Sequence, residues 1–484
     1  MRDASGHARR PSYEELEARV VEQRALIDRL EARVAQQEAV IEELRRQVNR
    51  NSGNSSMSPS SDQPLSRAER RRRAREAYKR SMRQTGGQPG HRGKTRELVE
   101  SGRVDRRFEH PPERCGCGHV FSGGEQRIGD PVVHQQYELP PIKPLVFEHA
   151  RIRLECPVCG RAVLAELPGP ALSGYGPRLE AHIAMLAGVF RLSRDQVRQV
   201  VEEVFGIPSC KGTIDNSLAR ISAILADPWA ELREAIRKAE TVHLDETTWR
   251  LRGAQQWLWV AASALAACYR IDPHRSQQAA KALIGEDFGG FAVTDRYAGY
   301  HFLDVLQQQL CWAHVIRQLT EISERAGATG RRGQKLLELA RRVIAAHREY
   351  LEQAHDPDWL AQQLRPLREQ IRALLEQCAH GQHERTASFA SGLLDEYDAL
   401  WTFADVPQAG IDPTNNTAER AMRHPVLMRR LQGGTQSDRG SRWIERIQTI
   451  RETCRLQDRG VLDWLIAAAT AAHQGQPIPS LAPT

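Results

Sequence analysis

Three acidic residues in segments of different character have the right chemistry to bind divalent metal ions together. Asp245 lies in the middle of the alternating stretch TVHLDETTWRL, and Asp295 follows the apolar segment FAVT. Glu419 lies in DPTNNTAERAMR, residues 412–423. Mg²⁺ prefers oxygen ligands, and two such ions about 4 Å apart can activate a nucleophile and stabilise a leaving oxygen in phosphodiester displacement. The three acids are therefore predicted to be catalytic and to bind Mg²⁺ or Mn²⁺.

Each acid also has a plain structural interpretation. A carboxylate flanked by Leu and aromatic residues in a strand is costly unless it is paired or metal-bound, which favours a functional role for Asp245. The structural alternative for Asp295 is that it caps a turn, since TDRYAGY also looks turn-forming. Glu246 and Asp272 are nearby rival acids and rank lower than Asp245.

Glu419 poses a sharper question, because Asn416 stands three residues before it. This spacing fits a capping box, in which the two side chains satisfy free backbone amides at a helix start. We predict that Asn416 begins the helix and that this cap aims Glu419 at the metals. The carboxylate would then swing from the cap to the metals when they and DNA bind.

The acids must converge from separate elements. Residues 240–276 contain three strand-like stretches joined by short turns, a meander of the kind that opens the RNase H fold. A helical stretch, a fourth strand ending at Asp295, a short fifth strand and a helix follow. Residues 321–405 are helical and charged, and they predict an insertion before the Glu419 segment. This insertion would cover the site, grip DNA or serve as a packing arm.

Four of the nine cysteines form two tight clusters, CGCGH and CPVCG. Two such pairs on separate loops supply four thiolates for a tetrahedral structural Zn²⁺. The predicted ligands are Cys115, Cys117, Cys156 and Cys159, with His119 as an alternative to one of the first pair. The alternating segment between the clusters predicts two or three short strands. Four unrelated buried thiols are the competing interpretation.

Residues 13–48 follow a heptad pattern with Tyr13 at the first a position. The later a positions carry Val or Ile, and the d positions carry Leu except at Gln23 and Gln37. β-Branched a residues with Leu at d favour a parallel two-stranded coiled coil, so we predict a homodimer. The alternative is a single amphipathic helix packed on the body of the protein.

A basic segment at residues 67–83 holds nine Arg or Lys against two Glu, including Arg70, Arg71, Arg72 and Arg73. Such a cluster suits contacts to DNA phosphates, although a solvated linker is the alternative. Residues 177–225 predict three helices that fit a helix-turn-helix, whose second helix would begin near Gly212 or Thr213. A plain helical connector explains the same pattern.

Composition excludes several classes of protein. The 484 residues carry a formal net charge of +7, and 27% of them are charged. The N-terminal segment lacks the apolar core of a signal peptide. No apolar run reaches the roughly 18 residues of a membrane span. Nine cysteines are an odd number, and four of them are clustered, which is typical of metal binding rather than of a disulfide framework. We therefore expect a cytoplasmic protein with no membrane partner.

The chain resembles transposases of the insertion-sequence sixty-six family, a branch of the bacterial DDE transposases. Besides the cysteine clusters and the linker after the heptads, the resemblance rests on motifs in a fixed order. They are HLDETTWR, TDRYAGY, CWAH, DPTNNTAERAMR and GGTQSDRGSRWIERIQTIRETCRLQDRGVLDWL. The chain departs from the family in its first cysteine pair, Cys115-x-Cys117, where Cys-x-x-Cys is usual. It also departs in having Arg317 alone after CWAH.

The resemblance implies an RNase H-like catalytic domain in which Asp245, Asp295 and Glu419 are the acidic residues. It implies a DNA transposase that binds terminal inverted repeats and catalyses metal-dependent end cleavage and strand transfer into target DNA. Cys311 and His314 of CWAH match a Cys-x-x-His element, which either supports the site or takes part in the chemistry. Accessory transposition proteins are implied as further partners. The arginines expected to contact phosphates near the site are Arg420, Arg423, Arg429 and Arg430, unless they lie on a solvated face.

The overall prediction is a multidomain α+β protein. Its predicted parts are a coiled coil (1–50), a flexible basic linker (51–104), a zinc-binding domain (105–170), a helical DNA-binding segment (171–235), an RNase H-like catalytic domain (236–320 and 406–450) with a helical insertion (321–405), and a C-terminal helical element (451–484). Two alternatives to a transposase are a nuclease of the same fold that does not join DNA and a catalytically dead DNA-binding dimer.

Overall fold

The computed structural model describes residues 96–167 and 174–483. It also describes ten earlier residues, all in helical conformation: 13, 23, 24, 26, 27, 30, 33, 37, 71 and 72. The chain divides into two compact units, one of residues 63–143 and the other of residues 1–62 with 144–484. Most of the predicted coiled coil and of the basic segment, including Arg70 and Arg73, lies outside the described residues.

The smaller unit contains little regular secondary structure where it is described. An isolated bridge joins Arg114 to Val120 and closes the turn that carries the first cysteine pair. The side chain of Gln135 accepts from the Val99 amide at 2.8 Å and donates to the Val99 carbonyl at 2.9 Å. These bonds tie two extended segments of this unit together.

In the described residues after 143, the larger unit first forms a short antiparallel hairpin of strands β1 (Arg153–Glu155) and β2 (Ala162–Leu164). The prediction of two or three strands between the cysteine clusters was wrong in part. Among the described residues, only β1 forms in that segment. Its centre reads LPPIKP, and proline lacks the N–H that a strand ladder needs.

Within residues 174–240, four helices precede the main sheet. They are α1 (Pro177–Ala184), α2 (Arg194–Glu203), α3 (Lys211–Ile224) and α4 (Ala226–Arg237). The three helices predicted before residue 225 are confirmed. Ser193 and Gln196 form a capping box that starts α2. Residues 204–210 connect α2 to α3, which is longer than the three or four residues usual for a helix-turn-helix.

A five-stranded sheet forms the centre of the larger unit. Its strands are β3 (Thr241–Leu251), β4 (Ala254–Ala262), β5 (Ala267–Asp272), β6 (Phe291–Thr294) and β7 (Gln308–Leu310), with helix α5 (Gln277–Ile284) between β5 and β6. The spatial order is β5-β4-β3-β6-β7. The first three strands pair antiparallel, and β6 and β7 continue the sheet in parallel. The structure thus confirms a mixed α+β protein.

Five helices follow the sheet within residues 312–405. They are α6 (Trp312–Ser323), α7 (Gly327–Glu352), α8 (Pro357–Ala379), α9 (Glu384–Asp395) and α10 (Thr402–Asp405). They pack into an apolar core of their own, which includes Trp312, Trp401 and Leu310 from the last strand. The segment is therefore helical as predicted, and it packs directly against the β7 edge of the sheet.

Three helices complete the unit and pack into the apolar core that the sheet forms with helices α1–α5. They are α11 (Asn416–Gln432), α12 (Asp438–Leu456) and α13 (Val461–His473). Helix α12 covers the open edge of β5, where Thr449 accepts from the Tyr269 amide at 3.0 Å and Thr453 from the Ala267 amide at 3.1 Å. These bonds satisfy backbone donors that an edge strand would otherwise leave unpaired. No helix in the described part of the chain is long and apolar enough to span a membrane.

Candidate active site

The sheet brings Asp245 and Asp295 to one place. Strands β3 and β6 pair in parallel with His243 beside Val293. Continuing this register by two residues puts Asp245 beside Asp295, and neighbouring strands lie about 4.8 Å apart. Asp295 follows directly after β6, so its side chain lies at the strand end rather than inside the ladder. Two carboxylates from separate strands therefore face one small volume.

The neighbouring acids also affect the pKa of Asp245. The pKa of Asp245 lies well above its usual value, first because the surrounding protein removes water from the carboxyl group. The negative charges of Glu246, Asp295 and Glu419 raise it further. The Glu246 amide donates to Asp245 Oδ1 at 2.9 Å, which opposes this shift only in part. The site therefore concentrates more negative charge than its own groups neutralise.

Helix α11 delivers Glu419 without a capping box. The helix begins at Asn416, as predicted, but the residue that precedes it, Asn415, makes no side-chain cap bond. Asn416 donates to Thr414 Oγ1 at 2.8 Å instead of bonding to Glu419. The predicted cap was wrong because Asp412 closes the preceding turn, accepting from the amide and hydroxyl of Thr414 at 2.7 and 2.6 Å. The expected swing of Glu419 away from a cap therefore has no basis.

Asn415 holds the start of α11 against the sheet. Its side-chain amide donates to the Leu244 carbonyl at 2.6 Å, one residue before Asp245. Its backbone amide donates to Cys311 Sγ at 3.1 Å. Glu419 lies one helical turn later and donates its amide to the Asn415 carbonyl at 3.0 Å. This chain of bonds fixes Glu419 relative to Asp245. No local pattern in the sequence indicated the role of Asn415, because its bond to Leu244 joins distant segments.

Cys311 and His314 of the CWAH motif lie next to Glu419. Cys311 precedes helix α6 and is buried, and its amide donates to the Thr294 carbonyl at 2.8 Å. Burial raises the pKa of the Cys311 thiol to about 11. His314 Nδ1 lies 3.9 Å from Glu419 Oε1. Burial and the charge of Arg317 lower the pKa of His314, so its imidazole is neutral near pH 7.

Glu246, the rival acid, is committed to other partners. Its side chain is 2% exposed and accepts from Arg275 Nε at 2.8 Å and Nη2 at 2.5 Å. It also accepts from the Tyr300 hydroxyl. Burial and the negative charge of Asp295 raise the pKa of Glu246, so Glu246 is close to the other acids, but its oxygens are bonded to Arg275 and Tyr300. Asp272, the second rival, accepts from the His274 amide at 3.0 Å.

The arginines of α11 divide into two groups. Arg420, Arg423 and Arg430 are exposed. Arg429 instead bonds to strand β3, donating to Thr247 Oγ1 at 3.1 Å and to Thr248. Arg429 thus joins helix α11 to the sheet.

Each cysteine pair lies on a tight turn, and the two pairs belong to the two separate units. The Cys115 amide donates to the His119 carbonyl at 2.8 Å, and the Cys156 amide donates to the Arg161 carbonyl at 2.9 Å between β1 and β2. The pKa of Cys117 is lowered by hydrogen bonds from the His119 amide and the Cys115 thiol. Bonds from the amides of Val158 and Cys159 lower the pKa of Cys156. Each turn therefore favours thiolates, the form that binds metal.

Comparison with known proteins identifies the family of the chain. A family model described as "Transposase IS66 family" matches residues 173–442, which is more than half of the chain and includes all five strands of the main sheet. The chain belongs to this transposase family. The resemblance seen in the sequence is thereby confirmed at the level of the family.

Two further matches extend beyond that segment. Residues 8–97 match a family of unknown function (DUF6444). The chain is also similar to the uncharacterized protein y4hP of Sinorhizobium fredii. The two are 25% identical over 405 residues, which is 75% of this chain and 71% of that protein.

The donor set of the site fits the divalent metal that is general among DDE transposases. Asp245, Asp295 and Glu419 offer the carboxylate oxygens that Mg²⁺ or Mn²⁺ prefers. Burial first, and then the negative charges of Glu246, Asp295 and Glu419, raise the pKa of Asp245, while the nearby cation Arg275 is bonded to Glu246. A divalent cation would supply the missing positive charge.

Proposed function

We propose that this protein is the DNA transposase of an insertion sequence, with Asp245, Asp295 and Glu419 as its catalytic acids. The observation that carries the proposal is the convergence of these residues. The β3–β6 register brings the two aspartates together, and the bond from Asn415 to the Leu244 carbonyl fixes the helix that carries Glu419. The sheet, with three antiparallel strands followed by two parallel ones, supports an RNase H-like catalytic domain.

The proposed reaction is hydrolysis at the element end followed by attack of the freed 3′-hydroxyl on target DNA. When bound, Mg²⁺ or Mn²⁺ would lower the pKa of the attacking hydroxyl and stabilise the leaving oxygen. The chain's own contribution is to hold three carboxylates from two strands and one helix in fixed relation. The bond from the Tyr297 amide to Asp295 Oδ1, at 3.0 Å, restrains one of them.

Binding of the terminal inverted repeats is assigned to basic surfaces. Arg420, Arg423 and Arg430 lie on the exposed side of the helix that carries Glu419, where they would meet phosphates close to the cut. The basic segment at residues 67–83 would add further phosphate contacts. Because phosphate contacts dominate such binding, affinity should fall steeply with salt. The heptads predict that two copies assemble, and accessory proteins remain part of the proposal.

A strand-transfer assay separates this proposal from its alternatives. Wild-type protein is incubated with Mg²⁺, labelled element ends and target plasmid, alongside Asp245→Ala, Asp295→Ala and Glu419→Ala. We expect joined products from the wild type and neither cutting nor joining from the variants. Cutting without joining would support a nuclease of the same fold. Binding of ends without cutting by the wild type would support a catalytically dead DNA-binding dimer.

The zinc proposal has a separate test, because its residues lie outside the catalytic site. Cys115, Cys117, Cys156 and Cys159, or His119 in place of one of the first pair, would hold one structural Zn²⁺. We expect Cys156→Ser to lower the zinc content of the purified protein by one ion per chain. An unchanged zinc content would remove Cys156 from the ligand set.

A further inference from the structure

A second group of donor atoms lies beside the proposed catalytic carboxylates and differs from them in chemistry. Cys311, His314 and Glu419 each present one donor atom, and the three atoms all lie within 4.8 Å of one another. Cys311 and His314 are three residues apart at the start of α6, and this spacing brings both side chains to one side of the helix. Glu419 reaches the same point from the first turn of α11.

One atom of this group lacks the partner that its burial requires. His314 Nδ1 is buried and has no hydrogen-bond partner among the residues that the structure describes. Glu419 Oε1 faces it at 3.9 Å, which is too long for a hydrogen bond. Buried nitrogen atoms in proteins are nearly always bonded, so His314 Nδ1 is suited to bind an ion here. A metal ion about 2.0 Å from nitrogen and 2.0–2.2 Å from oxygen separates the two by about 3.3–4 Å.

We infer that Cys311, His314 and Glu419 form a binding site for a Zn²⁺-type ion, distinct from the proposed Mg²⁺ site. Sulfur and imidazole ligands select zinc-like ions, whereas Mg²⁺ requires oxygen ligands. Three protein ligands leave a fourth position for water, as in zinc sites that are not purely structural. The side chains of His314 and Glu419 are each 30% exposed, which gives an ion access from solvent.

The surroundings of Cys311 suit a metal-bound sulfur. The Asn415 amide donates to Cys311 Sγ at 3.1 Å, and bonds of this kind stabilise thiolate ligands from outside the coordination sphere. A second bond, from the Trp312 amide to the Pro413 carbonyl at 2.9 Å, holds the starts of α6 and α11 together. Both elements that carry ligands are thus already fixed, and only side-chain adjustment is needed to close the site.

This site would regulate catalysis, because it shares Glu419 with the proposed catalytic acids. An ion bound by Cys311 and His314 draws the Glu419 carboxylate toward α6 and away from Asp245 and Asp295. Zinc should therefore inhibit Mg²⁺-dependent cleavage. This consequence rests on the proposed function, whereas the binding of the ion itself does not.

Cobalt titration of the full-length protein tests the site directly, since Co²⁺ replaces Zn²⁺ and thiolate coordination gives it a strong near-ultraviolet absorption band. The variants are Cys311→Ala and His314→Ala. The control is Cys378→Ala, which removes a buried thiol of α8 that is outside the group. Circular dichroism checks that each variant is folded, and Cys311→Ser provides a second variant if the alanine form is not.

We expect the wild type and Cys378→Ala to bind one more Co²⁺ per chain than Cys311→Ala and His314→Ala. Equal stoichiometry and equal spectra in all four proteins would overturn the site. The regulatory consequence is read as the ratio of cleavage with and without Zn²⁺, each protein being its own reference. That ratio should rise toward one in Cys311→Ala. A wild type without cleavage would refute the proposed function and leave the cobalt result standing.

Discussion

At the scale of single residues, two neighbouring asparagines have different roles. Asn415 is buried and donates to the Leu244 carbonyl, whereas Asn416 is exposed and bonds only locally to Thr414. Asn415→Ala should lower the free energy of unfolding by about 1–3 kcal/mol, since a buried carbonyl loses its donor. Cleavage should fall as well, because Glu419 loses its anchor to the sheet.

The matched control is Asn416→Ala, for which we expect a change within about 0.5 kcal/mol, as for most surface substitutions. Denaturant unfolding measures both. If Asn416→Ala destabilised the protein by about 1 kcal/mol and Asn415→Ala did not, the capping box would be the correct interpretation after all.

The adjacent acids Asp245 and Glu246 give a second residue-scale prediction. Asp245→Asn should reduce cleavage by about a thousandfold, since it removes a proposed metal ligand. Glu246→Gln should reduce cleavage by less than about tenfold, because this residue binds Arg275 and Tyr300 instead. It should still cost about 2 kcal/mol of stability, since the buried Glu246 carboxylate loses its charge-assisted bonds from Arg275. A reversed order of the two cleavage rates, measured on labelled DNA ends, would assign the site to Glu246.

Residue types indicated the acids but not the contacts that organise them. Asp245 and Glu246 are neighbours in β3, and nothing local showed which of them becomes the free carboxylate. That depends on Arg275 and Tyr300, which are distant in the chain from Glu246. Likewise, the bond from Asn415 to Leu244 joins residues 171 positions apart, so the local Asn-x-x-Glu pattern suggested a cap that does not form.

At the scale of elements, the end of α11 depends on two glycines. Gly433 ends the helix with φ 73°, and Gly434 follows with φ 102°. A Cβ on Gly434 would collide with the Arg250 carbonyl, whereas a Cβ on Gly433 would meet open space. The chain needs this close approach because Thr435 then pairs with the end of β3, its amide donating to the Arg250 carbonyl at 2.8 Å.

Gly434→Ala should therefore cost about 3 kcal/mol or more, combining strain at positive φ with a backbone clash. Gly433→Ala is the control, with strain alone and a cost of about 1 kcal/mol. Thermal unfolding of both variants measures the difference. Equal losses would show that the contact of Gly434 with β3 does not limit this turn.

The strands of the five-stranded sheet follow from local patterns, since they alternate or are short apolar runs bounded by turns. The segment between the cysteine clusters alternates as well but forms little strand. A strand needs a partner and free N–H groups, and the prolines of LPPIKP remove the latter. Pairing order could not be derived from the sequence, because it depends on contacts between distant segments.

At the scale of the whole molecule, the heptads predict that the protein is a dimer. Ile27 and Leu30, at neighbouring a and d positions, are helical, and each is about half exposed. Removing residues 1–50 should convert the dimer to a monomer in sedimentation-velocity ultracentrifugation. Ile27→Asp in the full-length chain is the matched point variant, since a buried charge at an a position disrupts the seam. An unchanged oligomeric state in both variants would favour a single helix packed on the body of the protein.

The central claim is that Asp245, Asp295 and Glu419 bind the catalytic metal directly, and replacing Asp245 by cysteine tests it. Thiolate is a poor ligand for Mg²⁺ and a better one for Mn²⁺. We predict that Asp245→Cys cleaves element ends poorly in Mg²⁺ and regains part of its activity in Mn²⁺, whereas Glu246→Cys shows no such dependence. Wild-type activity of Asp245→Cys in Mg²⁺, or the same rescue in Glu246→Cys alone, would contradict it.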